Sequence, residues 1–593
     1  MPRNTFNVDE ELDAPFQWSQ LKRALRYMSR YKKNIAMAFT VTVVSIVLGL
    51  YVQLLTQTVI DDYIPRKDIS GLFLLGGGML VMTAVSVLLN IFRYRLNSLT
   101  GQGIIKDIRS DVFAHLQELP FEYYDSRPAG KILVRVVNYI NHVADFLSSG
   151  LINIIIEFIS MFIIVGFMLY VSPTLALVII SGLPLFITYI LITKPAQRKA
   201  LLLLNNKTSN LTAYLAENIN GVRVTQSFTR EYFNLSIFDN LQEENRKFYM
   251  KAVRIIHSIF PISIFSSRLV ICAMYVLAVY FLRNHIRPEE LTVGTIITMI
   301  GFAWRFWQPV QNLGNHYNSL LSAASYLERI FQVLDEPVSV TDKEGAYKLP
   351  EINGIVTFYH VNHSYEKDVQ VLKDVTFEVD AGDSIALVGP TGSGKSTIIS
   401  LLSRFYNKDS GGIYIDGHEI HDVTLESLRR QMGVMLQDTF IFSGNIIENI
   451  RFGRLNATDE ECMEAAKAVR ADDFIQKLPD GYYSEVHERG EGLSAGQRQL
   501  LSFARTMLSQ PRVLILDEAT SSIDTQTERL VQEGISALME GRTSFIVAHR
   551  LSTIRNCTRI LYISDGEIAE YGNHDELIKK KGLYYQLYIS QMQ

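Results

Sequence analysis

Residues 384–397 read Ser-Ile-Ala-Leu-Val-Gly-Pro-Thr-Gly-Ser-Gly-Lys-Ser-Thr, and this stretch decides the fold of the C-terminal half. An apolar run that predicts a strand leads into the glycines, and a helical run from Ile398 to Phe405 follows them. Glycines in this order let backbone N–H groups turn towards phosphate, and the helix N-terminus behind them adds positive potential. The pattern predicts a P-loop in an α/β domain, and its context makes a chance glycine-rich turn a poor alternative.

A second motif lies downstream, on another predicted strand. Val513–Leu516 is apolar and ends in Asp517 and Glu518. This is the Walker B arrangement, in which Asp517 lies near Mg²⁺ and Glu518 orients or deprotonates the attacking water. Lys395 is expected to contact the β- and γ-phosphates and Ser396 to hold the metal, so ATP and Mg²⁺ are the expected cofactors. The loop residues expected around the phosphates are Gly389, Pro390, Thr391, Gly392, Ser393, Gly394, Lys395, Ser396 and Thr397.

The N-terminal half carries the pattern of a membrane protein. A helix that crosses the hydrocarbon core needs about 20 mostly apolar residues. One such run also suits a buried soluble helix, but a series does not, so we expect a six-helix transmembrane domain. The predicted spans are residues 35–56, 71–92, 149–170, 174–194, 260–281 and 291–312, of which the last is weakened by Arg305, Gln308 and Pro309.

Lysine and arginine residues set the expected orientation, because they favour the cytoplasmic side of a membrane. They are concentrated before the first span, between the second and third, and between the fourth and fifth. The other connections are short and carry few basic residues. The sequence therefore predicts a multi-pass protein of the cell membrane, with both termini and the nucleotide domain in the cytoplasm.

The two cytoplasmic connections are long, and both read as continuous helix. A helix that continues about 25 residues past the membrane projects about 40 Å. Two helical hairpins would then reach a cytoplasmic domain, with tips near Tyr123–Val134 and Asn218–Ser227. Pro128, Gly130 and Gly221 break the helical pattern there.

Charge and cysteine content exclude other classes of protein. The formal net charge of −4 offers no basic field for nucleic acid. Cys272, Cys462 and Cys557 are far apart and in no metal-ligand spacing, so we expect neither a disulfide framework nor a zinc site. The first apolar run has no cleavage pattern, and the basic amphipathic stretch before it, Phe16–Lys33, is expected to form a helix on the inner membrane surface. The alternative, a disordered basic tail, suits Met1–Ala14 better.

Ionisable residues inside a membrane span are costly and are therefore functional candidates. Glu157 and Arg268 are expected to face a central cavity, singly or as a pair, or to form an interhelical ion pair without a substrate role. The aromatic residues Trp304, Phe306 and Trp307 allow two similar interpretations, which are cavity lining and packing.

The residues between the two nucleotide motifs identify the class. Leu493-Ser-Ala-Gly-Gln497 shortly precedes the Walker B strand, and with the P-loop it resembles the signature of an ATP-binding cassette (ABC) protein. Six spans, long internal loops and a fused cassette are similar to the type IV exporters of this family over nearly the whole chain. Other family motifs match as well: Tyr365 corresponds to the aromatic residue that stacks on adenine, and Ser494, Gly496 and Gln497 belong to the signature. Gln437 corresponds to the glutamine that contacts Mg²⁺ and the membrane domain, and His549 to the histidine that contacts the γ-phosphate. Ser522–Asp524 matches the D-loop, and Ser484–Gly490 matches a loop that touches the internal hairpins.

The resemblance implies a multi-domain membrane protein with an all-α domain of six helices and an α/β P-loop cassette. The expected bounds are 1–34 for the tail and interfacial helix, 35–325 for the transmembrane domain, 326–350 for a linker and 351–593 for the cassette. It implies ATPase-coupled export of amphipathic or hydrophobic compounds by a dimer, in which each ATP lies between one P-loop and the partner's signature. The implied catalytic residues are Lys395, Gln437, Glu518 and His549, and the implied metal ligands are Ser396, Gln437 and Asp517.

Position 495 departs from the family's usual Leu-Ser-Gly-Gly-Gln. The methyl group of Ala495 lies where the family's backbone packs near phosphate, in the site that uses the partner's P-loop. Beside an intact catalytic set, this favours a heterodimer, and the alternative is a homodimer that tolerates alanine. Two other functions stay open, a homodimeric lipid flippase and an ATP-gated channel or regulator, although the intact catalytic set argues against the second.

Overall fold

The computed structural model describes residues 18–127, 129–284, 291–366, 369–435, 439–517, 525–548 and 551–592. Internal contacts divide the chain into two units. The first, here called the membrane unit, comprises Met1–Gln117 and Pro128–Glu336. The second, the cassette unit, comprises Glu118–Arg127 and Pro337–Gln593, so a short piece of the first predicted hairpin belongs with the cassette.

The described part of the membrane unit is helical throughout. Three of its segments, Val59–Tyr63, Arg135–Tyr139 and Phe146–Gly150, are π-helical turns within longer helices. The α-helices are Trp18–Ser29, Lys32–Thr58, Ile64–Arg66, Ile69–Glu118, Ala129–Val134, Ile140–Asp145, Leu151–Val171, Pro173–Ile180, Gly182–Asn220, Val222–Ser227, Glu231–Ile256, Ile259–Arg283 and Val293–Leu334.

Five helical segments in the described residues are long and apolar enough to cross a membrane. They are Lys32–Arg66, Ile69–Glu118, Ile132–Val171, Pro173–Asn220 and Glu231–Phe281. The sixth predicted span lies within the helix Val293–Leu334, which is not among the five because Arg305 and Gln308 lower its mean hydropathy. This last helix runs beyond the expected boundary at residue 325, and Leu327, Ile330 and Phe331 are buried in its extension.

The aromatic residues of the last helix have different environments. Phe306 and Trp307 are 1% and 0% exposed and belong to the apolar core of the membrane unit. The Trp307 ring packs edge-on to Phe186, with 6.1 Å between ring centroids. Trp304 is 43% exposed. Packing therefore accounts for two of the three aromatic candidates, and Trp304 alone of these keeps an accessible face.

The predicted pairing of Glu157 with Arg268 is replaced by two separate contacts. The Asn312 amide donates a hydrogen bond of 2.9 Å to Glu157. The Arg268 guanidinium lies 4.3 Å from the centroid of the Trp304 ring, in cation–π geometry. Both partners come from the last helix, and the sequence alone could not show which face of that helix meets which neighbour.

The N-terminal helix Trp18–Ser29 packs within the membrane unit. Its apolar face is buried at Leu21, Ala24 and Met28. The Arg23 guanidinium donates to both carboxylate oxygens of Asp335, at 2.6 and 2.8 Å. The apolar face that was expected to lie on the membrane is therefore covered by protein. Through Arg23 and Asp335 the helix contacts the last residues of the membrane unit.

The cassette unit contains two main sheets. A four-stranded antiparallel sheet has the order β2-β1-β4-β5, and a six-stranded sheet has the order β12-β11-β3-β10-β9-β6. A short pair, β7 and β8, stands apart. The strands are β1 Val356–Glu366, β2 Val369–Val379, β3 Ser384–Val388, β4 Ser410–Ile415, β5 His418–Glu419, β6 Met432–Met435, β7 Gly444–Asn445, β8 Glu485–Val486, β9 Val513–Asp517, β10 Thr543–Val547, β11 Arg559–Ser564 and β12 Glu567–Gly572.

Helices cover the larger sheet and complete the α/β fold. Strands β11, β3, β10, β9 and β6 are mutually parallel, and β12 is antiparallel to β11. Strands β3 and β10 are buried along their whole length, as expected of a parallel sheet with both faces covered. The α-helices of the cassette unit are Phe121–Asp125, Lys395–Leu402, Leu425–Arg429, Ile446–Arg451, Asp459–Ala468, Asp472–Ile475, Ala495–Ser509, Thr525–Met539, Leu551–Asn556, His574–Lys580 and Leu583–Met592.

Candidate nucleotide-binding site

The P-loop between β3 and the helix Lys395–Leu402 takes a backbone path that needs glycine. Gly389, Gly392 and Gly394 have φ values of +145°, +81° and +108°, a region that side chains disfavour. A Cβ atom at Gly389 would lie 2.1 Å from the carbonyl oxygen of Ile563, whereas one at Gly392 would meet open space. Gly389 is therefore required by packing, while Gly392 leaves room on the side where phosphate is expected.

Lys395 is the first residue of the P-loop helix, and it is 7% exposed. Its ammonium group donates hydrogen bonds to the carbonyl oxygens of Gly389 and Pro390, at 2.9 and 2.8 Å. Burial holds the pKa of Lys395 below its ordinary value, and attraction to Asp517 opposes that shift. A cation so placed is held by its own loop and is available to phosphate oxygens that replace those carbonyls.

Ser393 gives a direct test of whether a phosphate group fits. Its side chain is buried, at 4% exposure, and its hydroxyl has no hydrogen-bond partner among the described residues. A buried hydroxyl without a partner costs free energy, so such groups in native proteins call for an explanation. A phosphate oxygen in the loop would supply the partner, and the residues present therefore fit the triphosphate of ATP.

The P-loop helix begins earlier than the sequence predicted. It spans Lys395–Leu402 rather than 398–405. Gly394, in the left-handed region, caps its start, so Ser396 lies in the first turn and is exposed. The helix ends at Leu402, and Arg404, two residues later, is buried and has φ +48°. The shift puts Lys395 and Ser396 at the helix N-terminus, where backbone N–H groups and the helix dipole favour an anion.

The parallel sheet brings the remaining motifs to the same edge. Val547 of β10 pairs with Leu387 of β3 on one side and with Asp517 of β9 on the other. Met435 of β6 pairs with Leu516. The carboxyl ends of these strands therefore lie in one row, which is where open α/β sheets bind ligands. Asp517 stands in that row, close enough to attract the Lys395 ammonium.

Three predicted catalytic residues lie outside the described residues. Glu518 follows Asp517 at the end of β9, His549 follows Ala548 after β10, and Gln437 follows β6 by two positions. The predicted D-loop, Ser522–Asp524, is also outside. Their roles remain predictions that rest on the sequence and on the strands to which they are attached.

Tyr365 lies beside the P-loop at the end of β1. Its hydroxyl donates to the Thr397 hydroxyl at 3.1 Å, and the residue is 43% exposed. The Tyr406 ring packs edge-on to it, with a centroid separation of 5.0 Å. The ring is thus held through its hydroxyl and by neighbouring rings while the residue stays partly exposed, and its role in adenine stacking stays a prediction.

The signature motif opens the helix Ala495–Ser509. Ser494 is its N-cap, and Ser494 and Gln497 form a capping box with bonds of 3.2 and 2.8 Å. Ser494 and Ala495 are exposed, whereas Gly496 is buried. The motif therefore presents a helix N-terminus at the surface of the cassette unit, a suitable arrangement for anion binding.

Comparison with known proteins matches both units. The ABC transporter transmembrane region model matches residues 35–310, and the ABC transporter model matches residues 372–521. An uncharacterised ABC transporter ATP-binding protein of Bacillus subtilis, YknV, is 39% identical over 100% of this chain and 98% of its own length. This chain belongs to the ABC transporter family.

Two further comparisons give relatives of this ABC transporter. A fatty acid ABC transporter ATP-binding/permease protein of Mycobacterium bovis is 37% identical over 83% of the chain and 77% of its own length. The structure of a bacterial Atm1-family ABC exporter with ATP bound superposes with a TM-score of 0.77 at 26% identity, covering 95% of this chain and 98% of that one. The type IV exporter fold and ATPase-coupled transport are thereby confirmed.

The structure of this ABC transporter shows which residues near the first predicted hairpin tip contact the cassette. The segment Glu118–Arg127 rests on the cassette, where Phe121 packs on Phe405 with ring centroids 4.3 Å apart. The Tyr406 hydroxyl donates to Asp125 at 2.5 Å. Burial and this bond raise the pKa of Tyr406. Tyr406 therefore connects the Tyr365 ring to a segment that continues into the membrane unit.

Replacing Tyr406 with phenylalanine is expected to weaken coupling. The ring contact with Tyr365 stays, but the bond to Asp125 is lost, at a cost of about 1 kcal/mol, or roughly fivefold. We expect a lower ratio of substrate moved to ATP hydrolysed, measured together in proteoliposomes. Tyr359→Phe is the control, since its ring is 56% exposed and no bond to its hydroxyl is found among the described residues. An unchanged ratio of substrate moved to ATP hydrolysed in Tyr406→Phe would show that this bond does not contribute to coupling.

Proposed function

We propose that this chain is the ATP-hydrolysing half of a dimeric exporter that moves amphipathic or hydrophobic compounds out of the cell. The observation that carries the proposal is the carboxyl edge of the parallel sheet, where Lys395, Ser393 and Asp517 come together. The membrane helices, the fused cassette and the relatives support export as the work performed. The cytoplasmic side is assigned to both termini by the distribution of basic residues.

The chain's own residues divide the work at the phosphates. Lys395 binds the β- and γ-phosphates. The P-loop N–H groups and the Ser393 hydroxyl donate hydrogen bonds to the phosphate oxygens. Ser396, Gln437 and Asp517 are the proposed ligands of Mg²⁺, which when bound neutralises charge on the phosphate oxygens. Glu518 orients and deprotonates the attacking water, and His549 reads the γ-phosphate.

The site is incomplete within one chain. The signature helix Ala495–Ser509 presents its N-terminus outward and can add positive potential only to a nucleotide held by another cassette. ATP then closes the dimer, the hairpins transmit closure, and the membrane helices turn outward. Hydrolysis resets the pair.

We further propose a heterodimer. Ala495 is exposed at the first helical position, so its methyl group stands at the surface that meets the partner's nucleotide. It weakens that site without affecting the site built on this chain's P-loop. The chain expressed alone is expected to give little ATP turnover, compared with the pair purified from its own membrane. A stable, fully active dimer of this chain alone would contradict the heterodimer.

Transport itself is tested in inside-out membrane vesicles. ATP is expected to drive accumulation of a hydrophobic fluorescent compound, and the non-hydrolysable analogue is expected to drive none. Accumulation that is equal with both nucleotides would contradict a hydrolysis-driven pump and would favour the channel interpretation. Stimulation of ATPase activity and headgroup transfer by phospholipid alone would favour the flippase.

A further inference from the structure

A line of polar contacts joins the first and last membrane helices, Lys32–Thr58 and Val293–Leu334. At one end Asp61 accepts hydrogen bonds from the Thr292 hydroxyl and from the Gly294 N–H, the latter at 2.9 Å. One turn further along, the Gln57 amide donates to the Thr295 hydroxyl at 2.9 Å. These contacts belong to an element that the sequence analysis treated as apolar.

The line continues into the span. The Thr298 hydroxyl donates to the backbone carbonyl of Gln53 at 3.1 Å, and Gly301 faces the Gln53 side chain closely. Gly49 faces Arg305, so closely that a Cβ there would lie 2.6 Å from a guanidinium nitrogen. Glycine at position 49 therefore makes room for a charged side chain inside the span.

The spacing on the last helix shows that this is one face. The contacts fall at Gly294, Thr298, Gly301 and Arg305, and Gln308 and Asn312 extend the same series of alternating four- and three-residue steps. We call this set the polar seam. Its outer end is closed by Asp61, and its inner end holds an arginine.

Two guanidinium groups at the inner end have no acidic partner among the described residues. Arg305 lies against Gly49, and Arg268 lies over the Trp304 ring at 4.3 Å. Both arginines are exposed in the single chain, and so is 43% of Trp304. The nearby carboxylate, Glu157, accepts from Asn312 instead of meeting either arginine.

A guanidinium inside a membrane span does not face lipid, because its hydration is lost there without compensation. The Arg268 and Arg305 side chains must therefore face water in a transport cavity, an anion within it, or a second chain. Arginine forks bind carboxylate, sulfonate and phosphate groups in a bidentate manner, and an aromatic face beside them suits an apolar chain.

We propose that Arg268, Arg305 and Trp304 form a recognition site for amphipathic anions, which have one acidic head and an apolar tail. The head pairs with a guanidinium group, and the tail lies along Trp304. This inference rests on the proposed export function and names its substrate class. It also gives the polar seam a role, since the seam holds Arg305 beside Gly49 and away from lipid.

The test compares three probes with the same acyl chain in the dimer reconstituted in nanodiscs of neutral lipid. Dodecanoyltaurine is an anion, dodecanoylethanolamine is neutral and dodecanoylcholine is a cation. The anion is expected to stimulate ATPase activity most strongly, below its micellar concentration. The readout is the ratio of stimulated to unstimulated activity within each preparation.

The variants locate the effect. Arg305→Gln and Arg268→Gln are each expected to raise the half-stimulating concentration of dodecanoyltaurine about tenfold, and the lysine variants less, because a charged hydrogen bond is lost in one case and retained in the other. Arg283→Gln, which removes a charge at the end of the helix Ile259–Arg283, is the control and is expected to change it less than about twofold.

Any of the following results would overturn the assignment. The neutral or cationic probe could stimulate as strongly as the anion, the glutamine variants could respond as the unmodified dimer does, or they could dissociate the dimer, which would place the arginines against a second chain. If a glutamine variant does not fold and cannot be purified, the three-probe comparison on the unmodified dimer still decides. ATP hydrolysis that no probe stimulates would contradict this inference alone, whereas a dimer without ATP hydrolysis would contradict the proposed function.

Discussion

Replacing Glu518 with glutamine is expected to lower ATP turnover by about 100- to 1,000-fold while ATP still binds. A glutamine keeps the size of the side chain but cannot take a proton from water, and general-base catalysis is worth about that factor. The P-loop, Lys395 and Asp517 are unchanged, so the dimer should close on ATP and stay closed. Phosphate release and the ATP retained through gel filtration measure the two effects together.

The matched control for this substitution is Glu540→Gln. Glu540 is an exposed acid of the same unit, and it lies outside the carboxyl edge of the sheet. The Glu540→Gln variant is expected to hydrolyse ATP at the rate of the unmodified protein. If Glu518→Gln turned over ATP within a few-fold of the control, Glu518 would not be the base.

Replacing Lys395 with methionine is expected to weaken nucleotide binding and to lower ATP turnover strongly. Methionine keeps the buried stem but removes the ammonium group that now bonds the carbonyl oxygens of Gly389 and Pro390. We expect nucleotide affinity to fall about tenfold and turnover about 100-fold or more, because a charged contact to the transferred phosphate is lost. Titration with a fluorescent ATP analogue and phosphate release measure these separately.

Lys373→Met controls for loss of a lysine elsewhere in the same unit. Lys373 is an exposed residue of β2, and its removal should leave affinity and turnover unchanged. Lys395→Met with nearly normal turnover would remove the P-loop from the mechanism. Loss of binding in both variants would instead point to misfolding, which thermal unfolding of each protein distinguishes.

The candidate nucleotide site at the carboxyl edge of the parallel sheet was largely predictable, because the sequence motifs that form it are local. The strand predicted before the glycines is observed as Ser384–Val388, and the predicted strand Val513–Leu516 is extended only by Asp517. Glycines, a strand before them and a helix after them fix the P-loop within a short stretch of chain. Parallel pairing of the strands then brings Asp517 to the same edge. That strand order is a long-range property, and only the family resemblance predicted it.

The contacts that the sequence missed depend on the rotation of one helix against another. Hydropathy identified the spans but could not show that Arg268 meets Trp304 or that Glu157 meets Asn312. Likewise, an amphipathic N-terminal helix suits a membrane surface and a protein groove equally well. Its burial is settled by Asp335, which lies more than three hundred positions away and binds Arg23.

Lys395→Met and Ser494→Arg, each introduced into this chain within the dimer purified from its own membrane, distinguish the two nucleotide sites of the proposed pair. This chain is proposed to supply the P-loop of the active site and the signature of the weaker one. ATP turnover should therefore be lost in Lys395→Met and largely retained in Ser494→Arg. Equal loss in both variants, or activity retained in Lys395→Met, would contradict the asymmetric pair.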